Sequence, residues 1–124
     1  MKIEIQGKMI DKKHFNTWLS FVNIGPKRGS KFNDLIEIDS TDESEYIGAW
    51  ANLLIKSDRI NEVPSIIEKG LNELDMEVIF IDKIENVDSL IEYDELEASV
   101  IEEANWLVNS EYVFKISDRI FPYL

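Results

Sequence analysis

Two stretches of this chain hold carboxylates and no lysine or arginine. The first, Asp34 to Glu45, carries six acids, and the second, Glu85 to Glu103, carries eight. Ionised carboxylates without partners cannot be buried, so a fold open to this chain must leave both stretches at a solvated surface. The charge is lopsided as well. Residues 1–32 hold seven basic and two acidic residues, whereas residues 33–124 hold six basic and twenty-three acidic. Chains that tolerate high charge usually intersperse the two signs. Concentrated acid costs stability through self-repulsion, and the function it most often serves is to meet a cationic partner.

With 124 residues, 44% of them apolar, the chain is expected to form a single globular domain over 1–124, despite its net charge of −12. That charge argues against nucleic acid and anionic membrane surfaces as partners. The absence of cysteine excludes disulfides and thiolate metal sites. The opening, Met1 to Gly7, reads as a strand and lacks the apolar run of a secretion signal. No apolar stretch approaches the roughly 18 residues that cross a bilayer. The expected compartment is the cytoplasm.

The hydrophobic pattern predicts elements along the whole chain. Lys2–Gln6 alternates like a strand. Phe15, Trp18, Leu19 and Val22 fall at helical spacing behind a possible cap, Asp11, and Gly25-Pro26 ends that run. Leu35–Ile38 reads as a second strand. Tyr46–Lys56 reads as a third, with a helix possible over so long a run. The two strands are expected to form a hairpin across the polar turn from Asp39 to Ser44. Val63, Ile66, Ile67, Leu71 and Leu74 mark a helix with Pro64 in its first turn and Asn61 as a possible cap. Met76–Ile81, apolar on both sides, reads as an interior strand. Asp94 is expected to cap a helix carrying Leu96, Val100, Ile101, Ala104, Leu107 and Val108. Tyr112–Ile116 reads as the last strand. Ser-Asp-Arg-Ile occurs at 57–60 and again at 117–120, and both copies read as strand-exit turns. The expected fold is α/β, with α+β the alternative: a mixed β-sheet with helices packed on it, in the order β-α-β-β-α-β-α-β.

Catalytic chemistry is sparse. The one histidine, His14, could share a helix face with Asp11, or stand as an exposed helix residue beside Phe15. A serine triad needs a positioned nucleophile beside its histidine, and no Gly-x-Ser-x-Gly elbow occurs; the usual zinc sites need several His or Cys ligands, and the chain has one His and no Cys. The carboxylates are too many to single out a metal pair, and 82–94 lacks the glycine of an EF-hand loop. No cofactor is expected. The basic loop Gly25–Lys31 departs from a phosphate-binding loop in its spacing and follows a helix-like run, so it reads as a charged turn. Trp18, Trp50 and Trp106 sit at core spacing. Tyr46 and Tyr93 stand beside the acid runs and are candidate contact anchors.

A small, acidic, cysteine-free chain without a catalytic constellation resembles the bacterial immunity proteins, including those of contact-dependent growth inhibition. Ile5-Gln6-Gly7-Lys8-Met9-Ile10, followed by Phe15 and Leu19, is similar to the strand–turn–helix opening of barstar-type ribonuclease inhibitors over about the first 20 residues. The resemblance implies a cytoplasmic inhibitor, not an enzyme, whose partner is a basic protein: a toxin domain, of which a nuclease is the typical case. A nuclease site is cationic because it holds phosphates, and a carboxylate surface can occupy it. The expected partner-binding residues are Asp39, Asp42, Glu43, Glu45 and Tyr46 from the first run, and Glu92, Tyr93, Asp94, Glu95 and Glu97 from the second. The dipole of the helix after Asp94 accounts for part of the second run, which makes the turn at 39–45 the first place to look. An adaptor for another basic partner, a small-ligand-binding regulatory domain and an enzyme are the alternatives.

Overall fold

The computed structural model describes residues 13–37 and 41–124 in full, and residues 2–5 and 8–11 as backbone. Two short strands open the chain, β1 (Lys2–Ile5) and β2 (Lys8–Asp11), paired antiparallel with Ile3 opposite Ile10. Then come β3 (Thr17–Pro26), β4 (Gly48–Lys56), α1 (Val63–Glu73), β5 (Met76–Asn86), α2 (Val87–Glu92), α3 (Ala98–Val108) and β6 (Phe114–Tyr123). Single 3-10 turns at Phe32–Asp34 and Ile60–Glu62 interrupt the loops. The long strands form one antiparallel sheet in the order β5-β3-β4-β6. The expected sheet with packed helices is therefore present in its α+β form.

The first expected helix is instead the strand β3. Its apolar residues fit helical spacing, but they also fall in adjacent pairs, Trp18-Leu19 and Phe21-Val22, because β3 lies inside the sheet and packs on both sides. Val22 and Ile24 enter one core and Leu19 the other. A strand covered on both faces shows no clean alternation, so its period misleads. Thr17, Val22, Ile24 and the aromatics Trp18 and Phe21 also suit a strand better than a helix. With a strand here, the barstar-type opening loses its helix.

The expected strand Leu35–Ile38 and its hairpin do not form among the described residues, and Ile38 lies outside them. Leu35 and Ile36 follow the 3-10 turn, and a side chain replaces the ladder. Asn33 donates to the Ser44 carbonyl at 2.7 Å and accepts from the Tyr46 amide at 2.8 Å. Tyr46–Lys56 does contain a strand, β4, and α1 forms as expected with Pro64 near its start. The cap position of α1 is Glu62, without a side-chain cap bond, and Asn61 sits in the preceding 3-10 turn. Met76–Ile81 belongs to an edge strand, not an interior one, and Ile79 and Phe80 are more than half exposed.

α1 and the turn at Phe32 cover one face of the sheet. Val22, Ile24, Leu53 and Ile55 meet Val63, Ile67, Leu71 and Phe32 there, all essentially without exposure. Full burial of each such side chain contributes about 1.5–3 kcal/mol. The helix sits so close that a Cβ on Gly70 would lie 2.6 Å from the Phe114 ring. The chain then crosses from β5 to β6 through α2 and α3, which pass over the other face. They bury Leu19 and Leu54 under Val87, Leu90, Val100, Ala104 and Leu107. That cover reaches one end of the face only. No helix among the described residues is long and apolar enough to cross a membrane.

Candidate functional site

The second acid run holds no cation of its own, yet three lie against it, two from β6 and one on β5 just before the run begins. Arg119 of β6 donates to both carboxylate oxygens of Glu97, at 3.0 and 2.8 Å. Lys115 lies 3.7 Å from Glu103, which also accepts from the Ser117 hydroxyl at 2.7 Å and the Asp118 amide at 3.0 Å. Lys83 pairs with Glu85 at 3.1 Å. Asp88 is buried and accepts from the His14 amide at 3.1 Å. Asp94, Glu95 and Glu102 remain exposed, with no ion pair among the described residues.

Asp94 does not cap α3. It lies in the turn between two helices with φ 54°, a left-handed conformation that Asp tolerates better than most residues, and the cap position of α3 is Glu97. Glu92 is the last residue of α2, the end at which a helix disfavours an acid. The dipole account of this run therefore weakens. Three backbone bonds hold the turn: Tyr93 to Ser89, Asp94 to Ile91 and Glu95 to Leu90, at 2.8–3.2 Å. On it stands Tyr93, 72% exposed.

The first run is organised differently. Asp42 accepts from the Tyr46 hydroxyl and, at 2.9 Å, from the Ser44 amide. The Tyr46 bond first, then those from Ser44, hold the Asp42 carboxyl below the usual carboxylate range. The same bond to Asp42 raises the Tyr46 hydroxyl above the usual phenol value. The Tyr46 ring packs on the core beneath α1, so its polar tip and its body are both used internally. Glu43 and Glu45 are exposed, and Asp39 lies outside the described residues. Tyr46 thus belongs to the sheet face under α1, while Tyr93 to Glu97 join the helices over the other face. The two halves of the expected surface attach to different sides.

His14 is neither helical nor exposed. It sits in a turn over residues 13–16, 5% exposed. Its Nε2 lies 2.7 Å from Asn105 Oδ1 on α3, and its Nδ1 lies 3.6 Å from Asp88 Oδ1 on α2. The second carboxylate oxygen of Asp88 is buried without a hydrogen-bond partner. The cluster ties the turn before β3 to both helices of the second face. Among the described residues no three His, Asp or Glu side chains are placed to hold a metal ion.

Beyond the cover of α2 and α3, the second face is open and aromatic. Cross-strand pairing puts Phe80, Asn23, Trp50 and Phe121 in one row. Phe21, one step along β3 on the same face, stacks on Trp50 at 5.0 Å. A groove of about 540 Å³ runs from Phe21 and Phe121 to the Glu95–Glu97 wall. Two β-bulges aim charges at it. Asp82 is the extra residue where Phe21 and Val22 oppose Lys83 and Ile81. Ser117 to Arg119 loop out where Ala51 and Leu53 oppose Ile120 and Ile116. The second Ser-Asp-Arg-Ile copy is therefore a bulge within β6, whereas the first is a strand exit. In both, the serine hydroxyl accepts from the arginine amide. Of the three tryptophans, Trp18 packs on the α1 core, Trp50 belongs to the open row, and half-exposed Trp106 stacks on Tyr112. The row escaped the sequence reading because it requires strand register. Its available signal was the presence of at least one aromatic in each long strand. Against models of protein families, characterised proteins and solved structures, the chain finds no match.

Proposed function

We infer that this chain is a binding protein of the immunity kind, which neutralises a basic bacterial toxin domain, a nuclease being the best fit, in the cytoplasm of the cell it protects. The observation that carries the reading is the turn Tyr93–Glu95. It presents an exposed tyrosine, and beside it two carboxylates without internal cations, on a backbone fixed by three hydrogen bonds. A rigid aromatic with a polar tip is the usual hot-spot anchor, and its fixed backbone lowers the ordering cost of binding. Opposite charge steers association toward about 10⁸ M⁻¹s⁻¹ at low salt. A carboxylate surface can fill a cationic nuclease site as a substrate mimic.

The test is capture of a basic partner from the source organism, followed by calorimetry and association kinetics at low and high salt. Affinity should fall as salt rises. Asp94→Asn with Glu95→Lys should slow association at low salt, and Asn keeps the left-handed backbone accessible. Tyr93→Ala should cost about 2 kcal/mol, mainly through faster dissociation. Tight binding indifferent to salt would overturn the electrostatic mechanism.

A further inference from the structure

The open half of the second sheet face carries a ring from each of the four long strands, Phe80, Phe21, Trp50 and Phe121. The Phe21–Trp50 stack has 14° between its planes. Phe121 meets Phe21, and Phe80 meets Trp50, edge-on at 6.4 Å. Phe80 is 56% and Phe121 45% exposed. Aromatic surface of this kind, left open, marks an interaction site.

What the site takes is written in its charges. The groove wall and rim hold Asp82, Glu85, Glu95 and Glu97 against Lys83 and Arg119. Both cations are already paired, Lys83 with Glu85 and Arg119 with Glu97. Asp82 and Glu95 have no ion pair among the described residues. A ring platform for single-stranded nucleic acid needs a cationic groove, and this one has the opposite sign. Arg119 shows the chemistry the groove accepts. Its guanidinium lies 5.7 Å from the centre of the Phe121 ring while it binds Glu97 through two hydrogen bonds. An aromatic face beside a carboxylate is the pairing that suits a guanidinium. The same pairing recurs next to it: Phe21, which stacks on Trp50 with Phe80 edge-on beyond, lines the groove together with Asp82 and Glu95.

We propose that this face docks an arginine-bearing segment of a basic protein partner, one guanidinium lying over the Phe21–Trp50–Phe80 rings and bonding to Asp82 or Glu95. The proposal rests on the reading of the chain as a binder of a basic protein and gives that partner an entry point. Both rim charges that frame it, Asp82 and Arg119, come from bulges, the usual device for re-aiming a side chain at a sheet edge.

The test titrates the full chain with a capped tetra-arginine peptide and follows amide and indole shifts by NMR at low salt. The Trp50 indole N–H and the amides of Phe21, Phe80 and Phe121 should move. Phe80→Ala should weaken binding about two- to fivefold. A capped tetra-lysine peptide should bind more weakly, because an ammonium stacks less well than a guanidinium. Asp82→Asn, at an exposed side chain with no internal bond, should weaken binding and its salt dependence without touching the fold. Shifts confined to Tyr93–Glu97 and Asp42–Glu45, unchanged by Phe80→Ala and by Asp82→Asn, would overturn the docking site while leaving the acidic-surface reading intact. No salt-sensitive binding anywhere would overturn both. Shifts at the four rings that grow with protein concentration in the absence of peptide would make the occupant a second copy and overturn the proposal.

Discussion

The two faces of the sheet are built from the same four strands and end in different states. One face is closed and aliphatic at its centre: Val22, Ile24, Leu53 and Ile55 lie under α1 with no appreciable exposure, and the rings of Trp18 and Phe114 are partly buried against them. The other is aliphatic only where α2 and α3 cover it, at Leu19 and Leu54, and becomes aromatic where the cover stops. Aliphatic side chains gain little but burial, and they are found where burial is complete. Aromatic rings offer ring contacts and a quadrupole that attracts cations, so they remain useful at an open surface. The difference teaches that the open half is a surface with its own chemistry, not an unfinished core.

Mutation should separate the two most strongly at their centres. Leu53→Ala, on the closed face, should cost about 2–5 kcal/mol in urea unfolding, the range for deleting a fully buried leucine side chain. Phe80→Ala, on the open face, should cost about 1 kcal/mol or less, since most of what it loses is one edge-on ring contact. Equal costs at the two positions would mean that the open face is covered in solution, and the contrast would fail.

A middle-sized effect tests the covered end of the second face. Asn105→Ala removes the partner of His14 Nε2 in a cluster that joins the turn before β3 to α2 and α3. Leaving that nitrogen buried and unsatisfied should cost about 1–3 kcal/mol. The loss should be local. Amide hydrogen exchange should accelerate in α2 and α3 before it does in α1, because the cluster fastens only the second cover. Uniform acceleration across all three helices would show that the faces unfold as one unit.

How far the sequence foretold this arrangement follows from the same contrast. Elements with one apolar stripe were legible: α1 shows Val63, Ile67 and Leu71 at helical spacing because only one side of it is buried. β3, packed on both sides, has no stripe to read, and its apolar residues matched a helix by coincidence of spacing. β5 failed in the opposite direction. Its run Val78 to Ile81 suggested an interior strand, yet it is an edge whose Phe80 serves the open aromatic row. The acid runs were legible as surface except at Asp88, which is buried against His14, and their pairing across elements was not legible. Arg119 and Lys115 reach Glu97 and Glu103 from β6 and its bulge, which charge order along the chain does not encode, whereas Lys83 and Glu85 are neighbours two apart on β5. Asp94 was read as a helix cap because the intervening short helix, Val87–Glu92, lies in a stretch dominated by charge.

The smallest effect concerns the acid turn beneath the closed face. Tyr46 anchors its ring in that core and donates its hydroxyl to Asp42, which also accepts from the Ser44 amide. These bonds favour the ionised carboxylate, so Asp42 is more acidic in the folded chain than the roughly 3.9 of an unfolded aspartate. The folded state therefore gains from Asp42 at all pH values above that unfolded value, and loses the gain as pH falls through the lower folded value. Tyr46 works at the other end of the scale. Its hydroxyl must keep its proton to donate, and its raised value means that this contribution fades only as pH climbs past the ordinary phenol range. Tyr46→Phe keeps the ring in the core and deletes the bond. At neutral pH the variant should be slightly less stable than the parent. The gap should shrink as pH falls below the unfolded value and close as it passes the lower folded one, where the parent's Asp42 takes up its proton. Chemical unfolding of both chains across the acid range measures it. A gap that stays constant down to the lowest pH would mean that the bond does not favour the ionised Asp42, and that the turn is held by Asn33 and ring packing alone.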